Sequence, residues 1–434
     1  MKIKSLTKIF LFVAVAALFS CSSSEDGGGG DGGGNNGPTS LTINASSFFV
    51  DFGEAVTFDV KTNEGTDVTS EATIRVNGTP ISGATYTASE TGTYTIDATY
   101  ENLTSASITL QVLPVIESIS VEVNSATVNL GSRIDYTVLA RDTQGNDIDV
   151  TDASVVYIND SESDTGAKYV PGSVGAYNGY AVYNGFTSET VTVTVEDNAT
   201  TPAMYNKKAL VEDYTGTWCG FCPRVSYGIE QLQDATNDAV IVAVHNGDEM
   251  SNSFGGQMES AFQITGFPTA WVNRSETWNF PEPNNLDQVM NFAEGMSSSG
   301  ISISSAVKGN DLSFMVNVGF GQNASGNRLV VFLLENGLIF DQENYTSYYG
   351  GTATINNFVH DHVLRHSFTA VLGDAIPSGE AVANNTYRMK VDYAIPPGSV
   401  ANTSNLEIVA MIVGSNNQVI NVNKVSADSV VAFD

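Results

Sequence analysis

The tightest constraint in this chain is a pair of cysteines, Cys219 and Cys222, set between an apolar run and a helical pattern. Ala209 to Thr215 reads as a strand that runs into a turn at Thr215 to Thr217. After Cys222, Val225, Ile229 and Leu232 recur at helical spacing. A cysteine at the start of a helix faces unpaired backbone N–H groups and the positive end of the helix dipole, and both favour the thiolate. Two intervening residues let the second sulfur fold back onto the first within one turn. Pro223 suits the first helical turn, where its missing N–H costs nothing. Such a pair can exchange disulfides, with Cys219 attacking and Cys222 resolving. Two other readings stand beside that one. The pair can be a static disulfide that staples the helix start, or it can bind a metal, although no second pair of ligands is apparent.

The chain has 434 residues, too many for one ordinary core, so three or four domains are expected. It carries 18 basic and 48 acidic residues, a formal net charge of −30. Nothing here can neutralise a row of phosphates, which argues against nucleic-acid binding. The acidity reads as solubility and mutual repulsion. Only three cysteines occur, so the close pair is a site and not part of a disulfide scaffold.

The third cysteine belongs to a targeting segment. Lys2, Lys4 and Lys8 precede the apolar run Ile9 to Phe19, which is short for a bilayer span. Residues 1–20 are therefore expected to be a signal peptide. Leu18-Phe-Ser-Cys21 resembles the lipobox of bacterial lipoproteins, which implies cleavage before Cys21 and acylation of its sulfur. Residues 21–39 hold almost only Ser, Gly, Asp and Asn after that cysteine and are expected to be a flexible tether. The serines and acids just after Cys21 look like the export signal of surface lipoproteins of the Bacteroidota type.

Residues 40–113 are rich in β-branched residues, with turn signals at Gly53, Gly65, Asn77-Gly78 and Gly92. That is the pattern of an all-β sandwich. Residues 115–197 repeat it, with Gly53 and Gly131 lying 78 residues apart in matching contexts. Both copies resemble bacterial immunoglobulin-like domains. Neither carries a cysteine or histidine, so both are expected to be dispensable to the chemistry at Cys219. Pro114 marks the joint between the copies, and Asp197 to Pro202 reads as the next linker.

In residues 203–299, the apolar run Ala239 to Val244 follows the helix and reads as a strand buried on both faces. Strand, helix, strand gives a βαβ unit. Residues 300–434 contain seven further strand-like runs, expected to form a C-terminal all-β sandwich. The long segment Phe340 to Phe358 stands out as a functional loop. The fold class expected overall is multidomain: two immunoglobulin-like sandwiches, one α/β thioredoxin-like domain and the C-terminal sandwich.

Strand, Cys-x-x-Cys and helix in this order resemble a thioredoxin-like redox site. Trp218 before Cys219 matches the thioredoxin pattern Trp-Cys-Gly-x-Cys, whereas Phe221 departs from the proline or histidine usual there. The lipobox, the glycine tether, Thr215-Gly-Thr-Trp-Cys-Gly-Phe-Cys-Pro223 and Gly266-Phe-Pro-Thr269 together resemble the outer membrane protein 28-related lipoproteins, a thioredoxin-like family. The resemblance implies that Pro268 sits in a cis-proline loop facing the dithiol. It implies that Asp213, six residues before Cys219, is a buried acid that assists proton transfer from the resolving cysteine. A solvated strand-end carboxylate is the alternative for Asp213.

Arg224 either favours a thiolate or is solvated, and His245 ends the second strand as a hydrogen-bonded or site histidine. His360, His362 and His366, three of the four histidines, share one face if a single strand carries them, and are weak candidates for metal. No cofactor is expected. The function expected is an outer-membrane lipoprotein, surface-exposed, that exchanges disulfides with envelope or surface proteins and meets the membrane through its lipid. The alternative is a non-enzymatic adhesion or binding protein whose disulfide is structural.

Overall fold

The computed structural model describes residues 37–434. The signal peptide, Cys21 and most of the tether lie outside the described residues. The chain divides into two compact units, Met1–Pro114 and Val115–Asp434.

The first unit is a sandwich. Leu41–Ala45, Ala55–Thr62 and Thr85–Thr87 form one sheet. Phe49–Asp51, Ile108–Leu113, Gly92–Tyr100, Thr73–Val76 and Thr79–Pro80 run in that order across the other, joined by Leu103–Thr104. Alternating residues such as Val56, Phe58 and Val60 meet Ile74, Ile96 and Leu110 in a shared core. The repeat seen in the sequence is a repeat in topology. In the second unit Thr127–Asn129, Val191–Glu196, Gly175–Tyr183, Val155–Ile158 and Ser161–Glu162 follow the same order. The first pair in each series is parallel, and the other pairs are antiparallel.

The rest of the second unit is built on one mixed sheet. Its elements begin with β1 (Ala209–Thr215), α1 (Pro223–Ala235), β2 (Ala239–His245), α2 (Ser253–Phe262), β3 (Thr269–Val272) and α3 (Leu286–Ala293). They continue with β4 (Ser299–Lys308), β5 (Asp311–Phe320), β6 (Arg328–Glu335), β7 (Leu338–Glu343) and β8 (Thr354–His360). The last are β9 (Val363–Ser367), β10 (Asn385–Ala394), β11 (Leu406–Val413) and β12 (Val419–Ser426). β1 and β2 pair in parallel through α1, and every residue of both strands is buried. A run apolar at every position can only be satisfied with both faces covered. On one face Val211 and Ile241 pack with Val225, Ile229 and Leu232 of α1. On the other, Leu210, Val242 and Val244 pack with Met258 of α2.

The sheet does not stop at the boundary expected near 299 and 300. Its order is Glu276–Thr277, β3, β1, β2, β9, β6, β11, β12. The amide of Ala243 on β2 donates to the carbonyl of His362, which couples β2 to β9. The seven runs read from residues 300–434 are all strands, but four of them extend this sheet. The other three, β4, β5 and β10, form a second sheet packed against β6 and β11 through Phe314, Val316, Leu333 and Ile408. No self-contained α/β domain closes at residue 299: the described residues hold three short α-helices, and the architecture is mostly β.

The second immunoglobulin-like sandwich is not a loosely tethered spacer. Arg133 donates to the carbonyls of Ser305 at 2.8 Å and Asp428 at 2.7 Å. Ser304 donates to the carbonyl of Gly131 at 2.7 Å. Gly131 is at φ +99°, and a Cβ there would lie 2.2 Å from Asn317 Oδ1, so only glycine permits this approach. Arg388 pairs with Asp197 at 2.6 Å, in the segment expected to be a linker.

Candidate functional site

β1 delivers its last residue, Thr215, to the loop that carries the cysteines. Cys219 N–H donates to Gly216 O at 3.0 Å, and Cys222 N–H to Cys219 O at 3.1 Å, so the pair spans one turn. The two sulfurs are joined in a disulfide, with the Cα atoms 5.4 Å apart. α1 starts at Pro223 with Cys222 as its N-cap residue. Cys219 therefore sits in the turn before the helix, three residues earlier than a helix-start reading implies. Both cysteines are buried, at 4% and 1% exposure. A catalytic pair needs an open Cys219, and here another element covers the loop that carries it.

That element is the long segment at Phe340 to Phe358, which folds as the β7–β8 hairpin. Glu343 N–H donates to Thr217 O at 2.9 Å, and Tyr345 N–H to Gly220 O at 2.6 Å. The amide nitrogen of Gln342 lies 3.3, 3.1 and 3.1 Å from the carbonyl oxygens of Gly216, Thr217 and Cys219. One buried amide thus adds a side-chain donor to carbonyls that backbone N–H groups already meet. Tyr345 lies over Gly220, where a Cβ would come within 2.3 Å of its ring. The ring also meets Phe221 edge-on at 5.7 Å. Glycine between the cysteines is a packing requirement set by a tyrosine more than a hundred residues away. Sequence reading singled out this segment and Tyr345 within it, and missed Gln342, whose partners are backbone atoms without a sequence signature.

The remaining candidates fall around the pair. The Phe267–Pro268 peptide bond is cis, and Phe267 meets Trp218 edge-on at 5.6 Å. Trp218 is exposed, with its indole N–H donating to Asn246 O at 2.7 Å. Asp213 is buried, and its Oδ1 has no partner. It alternates along β1 with Val211 and so faces the α1 side of the sheet. Burial, then the Glu282 carboxylate, push its pKa up to about 8, against an opposing pull from Arg224. The solvated alternative for Asp213 is excluded by that burial.

Arg224 is neither solvated nor free to act on a thiolate. It grips the buried Glu282 with Nε–Oε2 at 2.5 Å and Nη2–Oε1 at 3.2 Å, and lies 4.7 Å from the Phe280 ring centroid. His245 Nδ1 is 2.7 Å from Asp248 Oδ2, which also accepts from Thr217 N–H at 3.0 Å. Burial works against the Asp248 anion, but the His245 contact and backbone donors hold its pKa below the usual value.

The three C-terminal histidines do not share a face. β8 ends at His360, His362 turns the chain at φ 59°, and His366 lies on β9. His360 packs against His245 and Phe358, with ring centroids at 5.2 and 4.9 Å. His362 bridges Gln233 and Glu407, at 2.8 Å each. His366 stacks on Tyr393 at 4.8 Å. The single-strand reading failed because a two-residue turn separates His360 from β9. Among the described residues no group of three metal-ligating side chains converges.

Residues 256–430 match the family described as outer membrane protein Omp28. The resemblance read from the motifs is borne out over that segment. The match takes in Pro268, the β7–β8 hairpin, His360, His362 and His366, and begins after the cysteine pair and His245. The described immunoglobulin-like sandwiches precede it. No curated protein matches the chain. Among solved structures, HBP35 of Porphyromonas gingivalis is similar at 19% identity and a TM-score of 0.42, covering 53% of this chain and 81% of that one. The fibronectin(III)-like modules of Clostridium thermocellum CbhA are similar at 14% identity and a TM-score of 0.19, covering 36% of this chain and 94% of theirs. No helix among the described residues is long and apolar enough to cross a membrane.

Proposed function

We propose that the protein is an outer-membrane lipoprotein that exchanges the Cys219–Cys222 disulfide with cysteines of other envelope proteins. The observation that carries this is a disulfide at the junction of a parallel strand and a helix, with a buried acid on the helix-facing side of that strand. The cis Pro268 loop beside Trp218 adds the thioredoxin-like character of the site. A partner thiolate attacks Cys219 Sγ, and the electron pair of the broken S–S bond leaves on Cys222. Asp213, kept protonated by its burial, supplies the proton that makes Cys222 a thiol. A second partner thiolate then attacks the partner's sulfur in the mixed disulfide and releases Cys219. Partner thiols are oxidised to a disulfide, and the pair is reduced.

One observation favours a second reading, a structural disulfide in a binding scaffold: both sulfurs are buried. The two readings separate in cells. In the reverse direction the reduced Cys219 thiolate attacks a partner disulfide and Cys222 resolves the mixed disulfide, so a Cys222→Ser protein is expected to accumulate mixed disulfides with envelope proteins on non-reducing gels, while Cys219→Ser accumulates none. Absence of trapped partners, with a reduction potential below about −300 mV, assigns the pair to the scaffold reading.

The lipobox, together with the outer-membrane description of the matched family, supports anchoring through acylated Cys21. Cys21→Ser is expected to move the protein from the membrane to the soluble fraction. Retention in the membrane would refute the anchor.

A further inference from the structure

We infer that residues 342–345 are an internal strap occupying the place of an incoming polypeptide, so that a partner reaches Cys219 only by displacing them. This rests on the exchange reading of the pair and adds its regulation. The strap contacts the cysteine loop as a bound extended peptide would. Two of its backbone amides, Glu343 and Tyr345, donate to Thr217 O and Gly220 O on either side of Cys219. One side chain, Tyr345, covers the loop at Gly220. Backbone donors for loop carbonyls and an apolar ring between them are what an extended substrate segment offers.

The strap is held in a way that permits release. β7 and β8 pair only with each other, and an isolated two-stranded hairpin is marginal in water. Its base is anchored where Leu338 packs with Met250 and Val363. Its tip is tied to α1 by Tyr348 stacked on Tyr227 at 4.7 Å and by Tyr349 donating to Glu230 at 2.8 Å. Tyr345 itself is 64% exposed, with no core on its outer face. The buried residues of the strap, Gln342 and Asn344, are polar and held by hydrogen bonds, and a segment outside the apolar cores opens before those cores do. Lifting residues 342–345 leaves the core between β6, β11 and the second sheet intact.

The competing occupant is an extended, cysteine-bearing polypeptide, and a small thiol needs less of the strap to move. The Cys21→Ser protein retains only Cys219 and Cys222, so its disulfide can be followed by alkylation and mass. In that protein, reduction by a ten-residue cysteine peptide is compared with reduction by dithiothreitol. Tyr345→Ala is expected to accelerate the peptide reaction tenfold or more and the dithiothreitol reaction by less than threefold. Tyr345→Phe, which keeps the ring over Gly220, is expected to retain the parental rates. Equal rates for the parent and Tyr345→Ala overturn the strap.

If Tyr345→Ala does not fold, amide exchange decides. In the parental sequence carrying Cys222→Ser, the Glu343 and Tyr345 amides are expected to lose protection once Cys219 holds the peptide as a mixed disulfide. Persisting protection also overturns the strap. These outcomes are separate from the exchange reading, which falls if Cys222→Ser traps no envelope protein, whatever the peptide rates.

Discussion

Asp213 concentrates the electrostatics of the site in one carboxyl. Its pKa is raised to about 8 in the folded protein, from an ordinary value of 3.8. In the unfolded chain it ionises near pH 4, so between about pH 4 and 8 the folded state binds the extra proton. The contribution of Asp213 to stability therefore falls as pH rises through that window, and is level outside it. Asp213→Asn keeps the shape and removes the titration. Its midpoint of thermal unfolding is expected to match the parent near pH 4 and to exceed it by a growing margin up to pH 8. A margin that is the same at both ends would show that Asp213 does not titrate in this way. The same substitution removes the proton donor, so peptide-thiol exchange is expected to slow while stability improves. His360 acts in the opposite direction. Burial lowers its pKa to about 4, so stability falls as pH drops from about 6.5 towards 4.

At the scale of elements, the hairpin and the cysteine loop are joined mainly through Gln342. The turn that places Cys219 leaves the carbonyls of Gly216, Thr217 and Cys219 pointing inward, and the Gln342 amide meets them. Gln342→Ala removes a second donor from carbonyls that each keep a backbone one, a loss of about 0.5–1.5 kcal/mol. Urea unfolding of the oxidised protein is expected to show that loss as a lower midpoint at unchanged slope. A change under about 0.5 kcal/mol would mean that water replaces the amide and that the hairpin is not fastened there. The Arg224–Glu282 pair binds the start of α1 to the loop before α3 in a comparable way. That pair also explains why Arg224 does not serve the cysteines.

At the scale of the whole molecule, the second sandwich and the mixed-sheet body share polar and apolar contacts. Val170 packs with Ala306 and Met315, and the Arg133 guanidinium donates to two backbone carbonyls of the body. A charged donor to a buried carbonyl contributes about 1.5–3 kcal/mol. Arg133→Ala is expected to speed proteolytic cleavage between Asp197 and Pro202, where the chain passes from one part to the other. Cleavage at the parental rate would show that the junction is held without Arg133. The first unit, Met1–Pro114, has its own two-sheet core.

The sequence by itself determined the repeated sandwiches, the strand–helix–strand order around the cysteines and the strands of the C-terminal part. Those features are written in local periodicity: alternation for half-buried strands, the unbroken apolar run Ala239 to Val244 for β2, and 3.6-residue spacing for α1. The length of Phe340 to Phe358 set that segment apart, but not its pairing as a hairpin or its contact with the cysteine loop. The tertiary structure decided which residues meet. Continuity of the sheet from β2 to β9 rests on a single parallel bridge between distant segments, Ala243 beside Val363, and periodicity does not encode partners. The burial of Cys219 comes from Tyr345 and Gln342, which act on carbonyls and on a glycine, groups that look alike at every position of a sequence. The three histidines were separated by a single left-handed residue at the β8–β9 turn, a backbone choice that non-glycine residue types do not announce. Local physics wrote the elements, and long-range packing wrote the site.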